Sequence, residues 1–164
     1  MTYFEDIEVG NTALLGRHTF TQQEIVAFAR LYDPQPFHVD PEAARRSHFG
    51  ALVASGWHTA SMWMKYFVAA NIGVPHPDAS APAGVAGEGA LGQFGPATGF
   101  RKLQWLKPVY VGDTISYATE AREKIASKSR SQWGLLKAYN SGTNQHGDLV
   151  IDFESVVLVA KRPA

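Results

Sequence analysis

The 164-residue sequence predicts a single α+β domain, residues 1–164, in which an antiparallel sheet curves around one long central helix. Three observations carry that expectation. Residues 57–73, WHTASMWMKYFVAANIG, are apolar on nearly every side of a helical wheel, as a helix buried in its own domain is. From residue 100 onward, β-leaning runs alternate with turn clusters. No internal repeat or linker divides the chain.

The elements follow in order. Residues 11–20, NTALLGRHTF, lean toward strand and follow the turn signal Val9-Gly10-Asn11. Thr21 and Glu24 have capping-box spacing, so the hydroxyl accepts from the third helical N–H while the carboxylate reaches back. Ile25, Phe28, Ala29 and Tyr32 then recur at helical spacing. Pro34 and Pro36 end that helix, and Asp40-Pro41-Glu42 starts another with an N-cap, a first-turn proline and an acid. Residues 33–39 thus form a short stiff connector. ALVASG at 51–56 leads into the central helix, and 73–99, rich in Gly, Ala and Pro, reads as a long loop. Two strands flank the turn Val111-Gly112-Asp113; RSQWGLLKAYN and DLVIDFESVVLVAK follow, separated by SGTNQHG. In the last strand Ile151, Phe153, Ser155, Val157 and Val159 hold the alternate positions of a half-buried strand.

Composition removes several function classes. Lys plus Arg and Asp plus Glu are both 15, so no basic field draws nucleic acid or an acidic membrane surface. With no cysteine, disulfides, thiol nucleophiles and Cys-based metal sites are out. The acidic start MTYFEDIEVG is not a signal peptide, and no apolar run approaches the roughly 20 residues of a membrane span. The expectation is a cytoplasmic protein, and zero net charge suits a chain that hides surface in an oligomer.

Two stretches carry candidate chemistry. In YDPQPFHVD, residues 32–40, Asp33 and His38 stand on either side of two prolines. A carboxylate and an imidazole on a stiff mount suit proton transfer, and a plain turn at a helix end accounts for the same residues. In ASGWHT, residues 54–59, small residues open the central helix, so the Gly56 N–H at a positive dipole end is placed to polarise a carbonyl oxygen. Ser55 as an ordinary N-cap is the plainer account. His38 and Asp40 lack a third metal ligand at recognisable spacing, so no metal is expected. A G-x-S-x-G elbow is absent, GEGALGQFG neither follows a strand nor opens a helix, and Arg45, Arg46 and His48 read as a solvated face.

Taken together, DPQPFHVDPEAA, LVASGWHTAS and LKPVYVGDTIS, in that order, resemble the MaoC-like dehydratases, a family of (R)-specific enoyl-CoA hydratases with the hot-dog fold. The resemblance implies syn addition of water to a trans-2-enoyl thioester, or the reverse. Asp33 and His38 would hold the water and exchange protons with C2, and the Gly56 N–H would bond the thioester carbonyl. Gln35 and Ser55 would support the loop. Coenzyme A is then part of the substrate and no further cofactor is implied. The implied assembly is a homodimer or a dimer of dimers. Two positions depart from the family pattern: Gln35 replaces the Asn many members have, and Met64 stands where several hydratases place a serine that orients the catalytic groups. A hot-dog thioesterase and a non-catalytic acyl-CoA-binding module share the fold and are the alternatives.

Overall fold

The computed structural model describes residues 3–72 and 94–163. After a 3-10 turn at Phe4–Asp6 the order is β1 (Thr12–Thr19), α1 (Gln22–Tyr32), α2 (Pro36–Val39), α3 (Pro41–Arg45), α4 (Gly56–Ile72), β2 (Phe94–Trp105), β3 (Thr114–Ala126), β4 (Trp133–Thr143) and β5 (Leu149–Ala160). The five strands form one antiparallel sheet in the order β1-β3-β4-β5-β2. One face of α4, with Met62, Trp63 and Tyr66, is buried against Leu15, Ile115, Tyr117, Ile151 and Phe153 from the strands. The Tyr117 hydroxyl donates to the Thr59 carbonyl at 3.0 Å, so the largest side chain beneath the helix is satisfied as well as buried.

Local chemistry explains the early elements. The capping box closes as expected, with Glu24 N–H donating to Thr21 Oγ1 and Thr21 N–H to Glu24 Oε2, both at 3.2 Å. Ile25 and Ala29 face the core, while Tyr32 stands 70% exposed at the end of α1. In β5 the inward set runs through Ile151, Phe153, Ser155, Val157 and Val159, all buried.

Three expectations change. The connector 33–39 is not all extended: Pro36 opens α2, a single helical turn, because its fixed φ suits a first helical position. The expected loop 73–99 loses its last six residues to β2, which begins at Phe94; the remainder of that call, 73–93, lies outside the described residues. Pro96 and Gly99 conceal this strand, and it tolerates them because it is a sheet edge with three register shifts. Finally, α4 is not buried all round, since Trp57, Ser61, Met64 and Lys65 form an exposed stripe. Trp57 and Met64 follow the helical period, but they lie outside the buried face that Met62, Trp63 and Tyr66 form.

Candidate active site

Asp33 is the residue at which α1 stops. Its backbone N–H still reaches the Ala29 carbonyl at 2.8 Å, while its extended φ of −153° turns the chain toward Pro34. Two side chains then hold its carboxylate: Gln35 Nε2 donates to Oδ1 at 2.8 Å and Ser55 Oγ donates to Oδ2 at 2.7 Å. Partial burial pushes the Asp33 carboxyl up, but those two donors, with His38 nearby, outweigh it and keep the group below its usual range. The carboxylate is therefore ionised at neutral pH.

His38 sits in α2 and is buried. Its Nδ1 lies 2.7 Å from the Val53 carbonyl, which accepts only, so Nδ1 carries the proton and donates. That leaves Nε2 facing Asp33 Oδ2 at 3.4 Å. The separation is long for a direct hydrogen bond and suits two groups that share one small molecule between them.

Ser55 joins this pair to the central helix. Its Oγ gives its proton to Asp33 and accepts the Trp57 N–H at 3.3 Å, so one hydroxyl caps α4 and aims the carboxylate. Gly56 is the next residue, the first of a 17-residue helix, and its N–H has no acceptor among the described residues. A side chain there has no room: a Cβ would come within 2.5 Å of the Trp105 indole. Asp33, Gln35, His38, Ser55 and Gly56 all line one cavity of about 570 Å3, with Trp57 and Trp105 at 5.1 Å, edge to face, in the same wall.

The structure thus brings all five sequence-selected residues into one cavity. Met64 does not line that cavity; it lines two apolar ones further along α4. Sequence reasoning missed the Val53 carbonyl, which no side-chain pattern could reveal, and Trp105, hidden in an apolar strand. Arg45 is engaged by Glu42 at 2.7 Å, on an exposed face, as expected. Among the described residues no cluster of three or more His, Asp or Glu side chains is arranged for a metal.

A five-stranded antiparallel sheet curled round one long helix is the hot-dog fold, and here it carries, at the start of that helix, a largely apolar cavity that holds a carboxylate and an imidazole. Comparison with known proteins narrows this. Residues 8–75 match the MaoC like domain. The chain is 30% identical to a 3-hydroxybutyryl-CoA dehydratase of Methylorubrum extorquens, over 98% of this chain and 85% of the other. It is 27% identical to an (R)-specific enoyl-CoA hydratase of Rhodospirillum rubrum, over 98% and 93%. The crystal structure of a MaoC-like dehydratase from Rhodospirillum rubrum superimposes with a TM-score of 0.80 at 34% identity, covering 100% of both chains. The chain belongs to the MaoC-like dehydratase family and is, with it, a hydro-lyase.

Proposed function

We propose that the protein hydrates trans-2-enoyl-CoA thioesters to (R)-3-hydroxyacyl-CoA, or runs the reverse dehydration, with Asp33 and His38 as the proton-transferring pair. One observation carries the reading. An ionised carboxylate, oriented by Gln35 and Ser55, faces a buried imidazole of fixed tautomer in the cavity where the unbonded Gly56 N–H begins α4. In hydration, a water held between Asp33 Oδ2 and His38 Nε2 adds its oxygen to C3. The pair takes one water proton and returns a proton to C2 on the same face, which makes the addition syn. Charge developing on the thioester oxygen is met by the Gly56 N–H and the dipole of α4, a donor worth about 3–4 kcal/mol to the transition state. No cofactor beyond the coenzyme A of the substrate enters this scheme.

A second copy of the chain is part of the reading. β2 is an edge strand, and Trp57, Met64, Phe100 and Trp105 are exposed beside it. An uncovered edge of that character invites pairing, and a homodimer joined there supplies it. Among the described residues no helix is long and apolar enough to cross a membrane.

The test is turnover of crotonyl-CoA, followed by loss of the conjugated chromophore. Asp33→Asn and His38→Ala are each expected to lower kcat by ~100-fold or more with the fold intact. Unchanged rates in both variants would remove the mechanism, and free-thiol release from a saturated acyl-CoA would move the assignment to a thioesterase.

A further inference from the structure

Trp105 closes the space beside Gly56. It is the last residue of β2 and pairs with Ile151 of β5, and the next N–H, of Leu106, donates to the Val150 carbonyl at 2.9 Å. The strand end that carries the ring is therefore anchored. The indole lies where a Gly56 side chain would be: a Cβ there would stand 2.5 Å from its Cε2 and Nε1 and 2.7 Å from its Cδ1. Trp57 meets the same ring edge to face at 5.1 Å, and both tryptophans line the cavity that holds Asp33 and His38.

This contact places the ring beside the bond that Gly56 offers. Covalent geometry puts a Cβ about 2.5 Å from its own residue's nitrogen, so those three indole atoms stand within about 5 Å of the Gly56 nitrogen. Along a helix the Cβ positions tilt toward the N-terminus, and the first N–H groups point the same way. An acceptor on the Gly56 N–H, about 2.9 Å from the nitrogen, and the Trp105 indole are neighbours at the same end of α4.

We propose that Trp105 is a specificity-determining residue: its indole walls the thioester carbonyl bound at Gly56, admits acyl groups with only hydrogen on C2 and rejects those with an alkyl branch there. This rests on the enoyl-thioester reading above and adds the substrate class to it. The carbonyl carbon bears two groups, sulfur and C2. Sulfur carries the same pantetheine arm in every acyl-CoA, so a wall beside the carbonyl selects at C2. A methyl group on C2 needs room that the ring takes, and the ring is held between Gly56 and Trp57. One methyl group too many in a packed site lowers kcat/KM by roughly 10–200-fold.

The test compares kcat/KM for crotonyl-CoA and trans-2-methylcrotonyl-CoA in the wild type, Trp105→Ala and Trp105→Leu. The methyl group also changes the intrinsic reactivity of the double bond, but equally in all three proteins, so the change in the ratio between proteins reports the wall. The wild type is expected to favour crotonyl-CoA. In Trp105→Ala the preference is expected to fall by about tenfold or more, through a gain on the branched substrate. Trp105→Leu keeps part of the bulk, is expected to fall between the two, and carries the test if the alanine variant does not fold. General damage to the fold lowers both substrates alike and leaves the ratio where it was. A wild type that turns over both substrates equally, or no gain of the branched substrate on the straight one in either variant, overturns the proposal. Crotonyl-CoA turnover with an unmoved ratio sinks this inference alone; no turnover of crotonyl-CoA by the wild type sinks the hydratase reading and this one with it.

Discussion

His58 sets up an acid sensitivity that can be worked out from its surroundings. The imidazole is 5% exposed on the first turn of α4, stacked on Phe28 at 4.5 Å and set edge-on to Phe20 at 5.0 Å, and its Nδ1 has no partner among the described residues. The charged and titratable groups facing it are His18, Glu24 and Lys65. Burial first, then His18 and, least, Lys65 push its pKa down to about 4 against the opposing pull of Glu24. In the unfolded chain the same group titrates near ~6.5, so between these values the unfolded state binds the extra proton. Stability is therefore complete above about pH 6.5 and lost as pH falls toward about 4. At about pH 5 the loss from this one group is about 2 kcal/mol, since each unit of displacement is worth about 1.4 kcal/mol. Urea unfolding of the wild type and His58→Phe near pH 7.5 and near pH 5 measures it. The wild type is expected to lose about 2 kcal/mol more than the variant across that interval. Equal losses in the two proteins would show that His58 is not the group being protonated.

The remaining predictions concern the candidate site. Removing either donor to Asp33, by Gln35→Ala or Ser55→Ala, raises the carboxyl pKa, because both bonds favour the charged form. The acid limb of the kcat/KM profile for crotonyl-CoA then moves to higher pH, and a limb that stays in place in both variants removes Asp33 as its source. Gly56→Ala drives a Cβ to within 2.5 Å of the Trp105 indole, which has to swing away from the helix start. The expected result is roughly a tenfold or greater loss of kcat, with an altered tryptophan emission reporting the moved ring. Full activity with unchanged emission contradicts the tight contact.

Much of the frame was readable because local rules and tertiary packing agree there. The capping box at Thr21, the Asp40-Pro41 restart and the alternation of β5 each depend on neighbours in sequence, and each stands where periodicity and cap chemistry place it. What escaped depends on partners distant in sequence. The first half of β2 carries Gly95, Pro96 and Gly99, so residues 94–99 lack a strand signal and are strand because β5 pairs with them; the second half, from Arg101, was readable. The exposed side of α4 was unreadable because Trp57 and Met64 are as apolar as Met62 and Trp63, and composition does not say which face meets the sheet. In the candidate site, the Asp33, His38 and Gly56 side of the geometry was legible from motif order. The Ser55 bond to Asp33 spans 22 residues and was not.

That long-range bond bears on the absent serine at Met64. If a hydroxyl is needed to aim the carboxylate, Ser55 already supplies one at 2.7 Å, from the helix cap itself, and Gln35 fills the other oxygen. The three motifs also act in series. The Val109 carbonyl accepts the Ala54 N–H at 2.8 Å, and Tyr110 bridges to Val53, so the KPVYVGD turn fixes the LVASG segment. The Val53 carbonyl then fixes the proton on His38 Nδ1, while Ser55 of the same segment fixes Asp33. A rigid backbone segment between two motifs thus sets both the tautomer of the imidazole and the aim of the carboxylate, and two flanking prolines alone would set neither.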